Sequence, residues 1–164
     1  MKRLVAIAAF LAACRAGGDG SSPAEGGPIG DDGGDSSTAS IAMGLMAVGV
    51  YGCAECHQSA DPEAGILAGQ TTPVPGSSAY GSNLTPDPDT GMDAWDAGAI
   101  ARSILEAEDE DGSPLCPQMP AYSDAGMTAT QAESIALYLQ SLAAMWHPVP
   151  PSVCPPVKGG GDGG

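Results

Sequence analysis

Glycine and proline set the limits of this chain. There are 24 of one and 15 of the other in 164 residues. Glycine raises the entropy cost of regular structure, and proline removes a backbone donor. Such a sequence has room for a few short helices joined by long connections. A second shortage sharpens the problem. The chain has one Phe, two Trp and four Tyr, and the Phe is Phe10, close to the N-terminus. Aromatic side chains supply much of the buried area of a small core. A domain that lacks them, and that shows no apolar strands, needs something else to fill or staple it.

Twenty acidic residues stand against five basic ones, a formal charge of −15. Nucleic-acid binding rests on Lys and Arg neutralising phosphates, so this balance excludes it. No apolar run reaches the roughly 18 residues of a membrane span. Lys2 and Arg3 precede the apolar stretch Leu4 to Ala13, the pattern of an export signal. The stretch ends in Leu11-Ala12-Ala13-Cys14, which resembles a bacterial lipobox. That resemblance implies a lipoprotein signal peptide over 1–13, cut before Cys14, with lipid on the Cys14 thiol. The other reading is an ordinary signal peptide cut near Ala13. Cleavage leaves three basic residues against 20 acidic ones, a charge of −17. Acyl chains would anchor the protein on the periplasmic side of a bacterial membrane without spanning it. Arg15, rather than an aspartate, after the lipidated Cys favours the outer membrane. Residues 14–39 are Gly, Ser, Asp and Pro with almost nothing apolar and read as a disordered tether. Residues 159–164 read as a disordered tail, which leaves 40–158 as the folded domain.

Within that domain the periodicity predicts an all-α fold. Ser40 caps a short helix over Ile41 to Val50, where Gly44 and Gly49 permit close packing of a neighbour and Met43 and Met46 look like core. Residues 52–92 are loops and turns, long enough to require a ligand to organise them. Trp95 to Glu106 has apolar residues at helical spacing, with Asp93 in capping range. The acidic run Glu106 to Asp111 should stop that helix. The strongest helix is Thr128 to Met145, with Thr128 and Gln131 as a capping box and Ile135, Tyr138, Leu139 and Leu142 on one face. Met145 again looks like core, and prolines follow at 148, 150 and 151.

Cys53-Ala54-Glu55-Cys56-His57 is a C-x-x-C-H motif, the pattern of c-type haem attachment. Two thiols three positions apart at a helix start can add to the two vinyl groups of one haem, and the adjacent imidazole then falls under the iron. A zinc half-site and a thioredoxin-like pair are the alternatives. Zinc would need two more ligands from His147, Cys116 and Cys154, and a thioredoxin-like pair needs a βαβ context. Met119 lies between Pro117 and Pro120 in a loop before the last helix. Flanking prolines stiffen the loop, so little entropy is lost when a weak thioether binds iron. Its competitors are the other methionines, including Met92 and Met127, and His147; a core-filling Met is the plainer reading.

The order of short helix, C-x-x-C-H, long loop, helix, Met-Pro loop and final helix resembles the class I cytochromes c. Asn83-Leu84-Thr85-Pro86-Asp87-Pro88-Asp89-Thr90-Gly91, followed by Trp95, resembles a segment of periplasmic monohaem cytochromes, and Met119-Pro120-Ala121-Tyr122 resembles their axial loop. The resemblance covers roughly residues 41–145. It implies a cytochrome c-like fold, with three or four short helices and long loops around one covalently bound haem c. Cys53 and Cys56 would carry the thioethers, with His57 proximal and Met119 distal. Asn83, Leu84, Thr85 and Trp95 would line the haem edge and its propionates. A backbone carbonyl within Gly65 to Pro75 is expected to fix the His57 tautomer. Asp87, Asp89 and Thr90 lack the full ligand ladder of a calcium site.

With Cys14 lipidated and two cysteines on haem, Cys116 and Cys154 remain, and export makes a disulfide their natural state. Closing a 38-residue loop contributes about 3–4 kcal/mol in the chain-entropy picture. It would tie the Pro-rich tail to the loop just before Met119 and hold that loop against the iron. The function implied is electron transfer rather than catalysis, by a free carrier or by a subunit of a dehydrogenase or oxidase complex. Arg102 and Lys158 are the only basic residues of the domain, so complementary fields would select redox partners with a basic or neutral docking face. The alternatives are a haem-based gas sensor or peroxidase with a labile Met119, and a haem-free zinc-binding lipoprotein.

Overall fold

The computed structural model describes residues 38–155. The expected signal peptide over 1–13, the expected lipidation of Cys14, the expected tether up to residue 37, Lys158 and the expected tail 159–164 lie outside the described residues. Among the described residues four α-helices follow in order: α1 Ile41–Val50, α2 Ala54–His57, α3 Ala97–Glu106 and α4 Ala129–Gln140, with a 3₁₀ turn at Pro62–Ala64. No strand forms among them, and the one β contact is an isolated antiparallel bridge between Glu108 and Pro114.

Helix α1 starts where its cap predicts, with Ser40 Oγ accepting from the Met43 amide at 3.2 Å. Its contact with α4 is made at Gly44, where the Ser134 carbonyl fills the place a Cβ would take. The Ser40 amide also donates to Ser134 Oγ at 3.1 Å. Gly49 has nothing within 4 Å, so only one of the two glycines serves the packing. The buried positions are Gly44, Ala47 and Val48. A helix that is apolar all round must leave its other face outside, and Met46, expected in the core, is 65 % exposed.

Helix α3 begins at Ala97 and is capped by Asp96, whose carboxylate accepts from the Ala99 amide at 2.7 Å. The cap is therefore not Asp93, and Trp95 lies outside the helix. The Trp95 amide turns back to the Met92 carbonyl, and its own carbonyl accepts from Gln140 Nε2 at 3.1 Å. The expected face of Ala99, Ile100, Ser103 and Ile104 is buried. The helix ends at Glu106 with Ala107 left-handed (φ 55°). The acidic run then folds back as a turn whose Asp109 carboxylate accepts from the Asp111 and Ser113 amides.

Helix α4 carries the complete capping box of Thr128 and Gln131. It stops at Gln140, five residues before the predicted end. Beyond it the backbone leaves the helix for partners elsewhere. The Met145 amide donates to Thr85 Oγ1 at 3.1 Å, its carbonyl accepts from Asn83 Nδ2 at 2.8 Å, and the His147 amide donates to Thr90 Oγ1 at 3.0 Å. The core gathers Ala47 and Val48 of α1, Ile100 and Ile104 of α3, Ala132, Ile135, Ala136 and Leu139 of α4, and Leu67 from the long loop.

That loop is held by its own polar side chains. Gln58 accepts from the Leu67 amide and donates to the Gly65 carbonyl, both at 2.9 Å. Asp87 accepts from the Asp89 amide and from the amide and hydroxyl of Thr90, the last at 2.7 Å. The Thr90 hydroxyl beside it holds the Asp87 carboxyl below the usual carboxylate range. The three residues considered for calcium thus form a closed turn.

Candidate functional site

A cavity of about 470 Å³ opens beside the core, within the range of small-molecule and cofactor sites. Val48, Ile100, Ile104, Ile135 and Leu139 give its floor apolar character. The left-handed Gly52 (φ 67°) turns the chain out of α1 into the cysteine motif. The Cys53 amide then donates to the Val48 carbonyl at 3.2 Å, and the His57 amide to the Cys53 carbonyl at 3.0 Å. One helical turn therefore carries Cys53, Cys56 and His57, and all three line the cavity. Both cysteines are free thiols and half-buried. Burial pushes the Cys53 thiol up, so it stays protonated at neutral pH.

His57 Nδ1 lies 2.9 Å from the Ser82 carbonyl. A carbonyl only accepts, so Nδ1 carries the hydrogen and the Nε2 lone pair is left for a metal. The carbonyl comes from residue 82, not from Gly65 to Pro75 as expected. Gly81 explains the difference: the Cys56 carbonyl occupies the place its Cβ would take, so the backbone at 81–82 lies directly against α2. Burial pushes the His57 imidazole below its usual range, partly offset by the Ser82 carbonyl.

Met119 lines the same cavity, as do Asn83, Leu84, Met92 and Trp95. Thr85 does not. It is fully buried, and its hydroxyl donates to Asn83 Oδ1 at 2.8 Å and accepts from the Met145 amide. Asn83 reaches the wall, but its amide is already satisfied. Both hydrogens of Nδ2 go to Thr90 Oγ1 and the Met145 carbonyl, and Oδ1 accepts from the Thr85 amide and hydroxyl. It pins the loop and keeps no donor for a carboxylate in the cavity. Gln118 Oε1 is buried with no partner among the described residues.

Cys116 and Cys154 form a disulfide, Cα to Cα 5.0 Å, and both line the cavity. Two of the three extra ligands considered for zinc are thereby withdrawn. Among the described residues no group of three His, Cys, Asp or Glu side chains is gathered to hold a metal ion. The residues that sequence reasoning missed are Ser82, Gln118 and Ser152, which became visible through backbone position; Met92, weighed in the sequence as a competitor of Met119, lies in the same wall.

No family model matches the chain. Over 105 residues, 64 % of its length, the chain is 30 % identical to a nicotinate dehydrogenase subunit of Pseudomonas putida. The matched stretch is only 9 % of that relative. The chain is thus similar to a small part of a much longer protein. The donor set of this cavity is two thiols on one helical turn, an imidazole with one nitrogen fixed, and a thioether. That set suits a c-type haem.

Proposed function

We propose that this protein carries single electrons on one covalently attached haem c, with Cys53 and Cys56 as thioether cysteines and His57 and Met119 as axial ligands. One observation carries the reading. Two free thiols, a tautomer-fixed imidazole and a proline-flanked methionine all border one largely apolar cavity. A bound haem would supply the Fe(III)/Fe(II) couple. The chain's part is to exclude water with Val48, Ile100, Ile135 and Leu139, to hold the Nδ1 proton of His57 on Ser82, and to present Met119 from a stiff turn. Were His57 and Met119 both to hold the iron, no position would be left for a substrate, so the reading is a carrier rather than an enzyme. Similarity to part of a dehydrogenase subunit supports a redox setting, as a free carrier or as a subunit. The polypeptide would be cytochrome c-like, exported and held through Cys14 on the periplasmic side of a membrane. Its partners would present a basic or neutral face.

The test is an absorption spectrum, oxidised and reduced, with and without carbon monoxide, on protein from a host that matures c-type haem. Expected are a covalently retained low-spin haem, a methionine–iron charge-transfer band, and no carbon monoxide response. A haem that binds carbon monoxide at once would move the reading to gas sensing or peroxide chemistry. A colourless protein would return the motif to thiol or zinc chemistry.

A further inference from the structure

The chain after α4 does more than end the fold. It runs past the loop that positions His57 and finishes at the turn that carries Met119. The Met145 and His147 backbone is held by Asn83, Thr85 and Thr90. The Tyr80 amide then donates to Ser152 Oγ at 2.8 Å, and the Val153 amide donates to the Ser78 carbonyl at 2.9 Å. One residue further on, Cys154 is bonded to Cys116. The Cys116 carbonyl accepts from the Met119 amide at 2.8 Å. At the other end of this path, Tyr80 stands two residues before Ser82, the partner of His57. Ser152, Cys154 and Cys116 all line the cavity.

We infer that residues 145–154 are a strap that sets the placement of Met119 relative to His57, with Cys116 and Cys154 as its positioning residues, and that a dithiol reductant can release its Met119 end. This rests on the proposed haem ligation. The two ends of the Met119 loop are held differently, and only the earlier one is joined to the strap. After the methionine, the Tyr122 and Ser123 amides donate to the Ile104 and Leu105 carbonyls of α3. Before it stand the disulfide and two backbone hydrogen bonds to the acidic turn beyond α3, from the Leu115 amide to the Ala107 carbonyl and from the Asp109 amide to the Ser113 carbonyl. Cys154 is exposed, so a small dithiol can reach the bond. In the exchange the dithiol is oxidised to its cyclic disulfide. Its two electrons and two protons pass to the sulfurs of Cys116 and Cys154 as the bond between them breaks. The His57 end keeps its hydrogen bonds through Ser78, Tyr80 and Ser82. Opening the bond would therefore loosen Met119 and spare His57.

The experiment uses the mature haem-loaded protein in two forms: wild type, before and after mild dithiol treatment, and the Cys116→Ser/Cys154→Ser double variant. Amide hydrogen exchange is read beside the carbon monoxide response. With the disulfide open, the Met119 amide should exchange at least about tenfold faster, while the Gly69 amide, bonded to the His57 carbonyl at 2.8 Å, stays unchanged. Carbon monoxide should then bind, and reoxidation should reverse both effects. Unchanged Met119 exchange and no carbon monoxide binding after reduction would overturn the inference. If the double variant does not fold, the reversible treatment of wild type decides alone. If the protein carries no haem, the ligation reading fails, and exchange at Met119 still judges the strap.

Discussion

Asn83 shows how a residue can sit in a site and serve the frame around it. Its four hydrogen-bonding positions are all used within the protein, and it is 2 % exposed. Asn83→Ala should leave the Thr85 and Thr90 hydroxyls and the Met145 carbonyl short of partners, at a cost of roughly 2–4 kcal/mol. Urea unfolding measures this, and a loss under about 0.5 kcal/mol would show that the network is replaceable. At this scale the motif residues are legible because their chemistry depends on local spacing: Cys53, Cys56 and His57 fall on one turn by sequence alone. The carbonyl facing His57 is not legible, because any backbone carbonyl has the same chemistry and only Gly81 lets residue 82 approach. The role of Asn83 is hidden for a related reason. Its partner at 145 lies 62 residues away, and nothing in either neighbourhood announces the pair.

Among the elements, helix starts are more legible than helix ends. Ser40 and Thr128 act through side chains three residues from their targets, so the signal is local. The end of α4 is set by Asn83, Thr85 and Thr90, which draw Met145 and His147 out of helical pairing against the local pattern. Trp95 has the spacing of an α3 residue, yet its hydrogen bonds to Met92 and Gln140 keep it outside the helix. The two glycines of α1 make a matched experiment. Gly44→Ala drives a methyl group into the Ser134 carbonyl and should cost about 1–3 kcal/mol. Gly49→Ala meets nothing and should add about 0.5–1 kcal/mol through helix propensity. Thermal or urea unfolding of the pair should therefore move in opposite directions. Equal shifts would mean that α1 and α4 are not packed backbone to backbone at Gly44.

For the whole molecule, Arg102 is the one Lys or Arg among the described residues, and the acidic turn at 108–113 brings Asp109 into the cavity wall. If the chain carries electrons as proposed, exchange with a basic partner should slow as salt rises from about 0.01 M to 0.15 M, because the screening length falls from roughly 30 Å to 8 Å. Stopped-flow rates with a basic and an acidic partner measure this, and a flat salt profile with both would leave the charge with a solubility role alone. The overall plan is only partly legible in the sequence, since the loops that organise the site do so through contacts that span the chain. The strap has a last consequence, for the order of assembly. The described residues hold four cysteines, which allow three complete pairings, and the structure contains one bond with Cys53 and Cys56 left open. The cavity wall begins at Val48 and is closed by Cys154. A growing chain therefore presents its first two thiols long before the partner of Cys116 exists. Capture of that early pair by the proposed haem would remove every wrong pairing among these four before the last one can form.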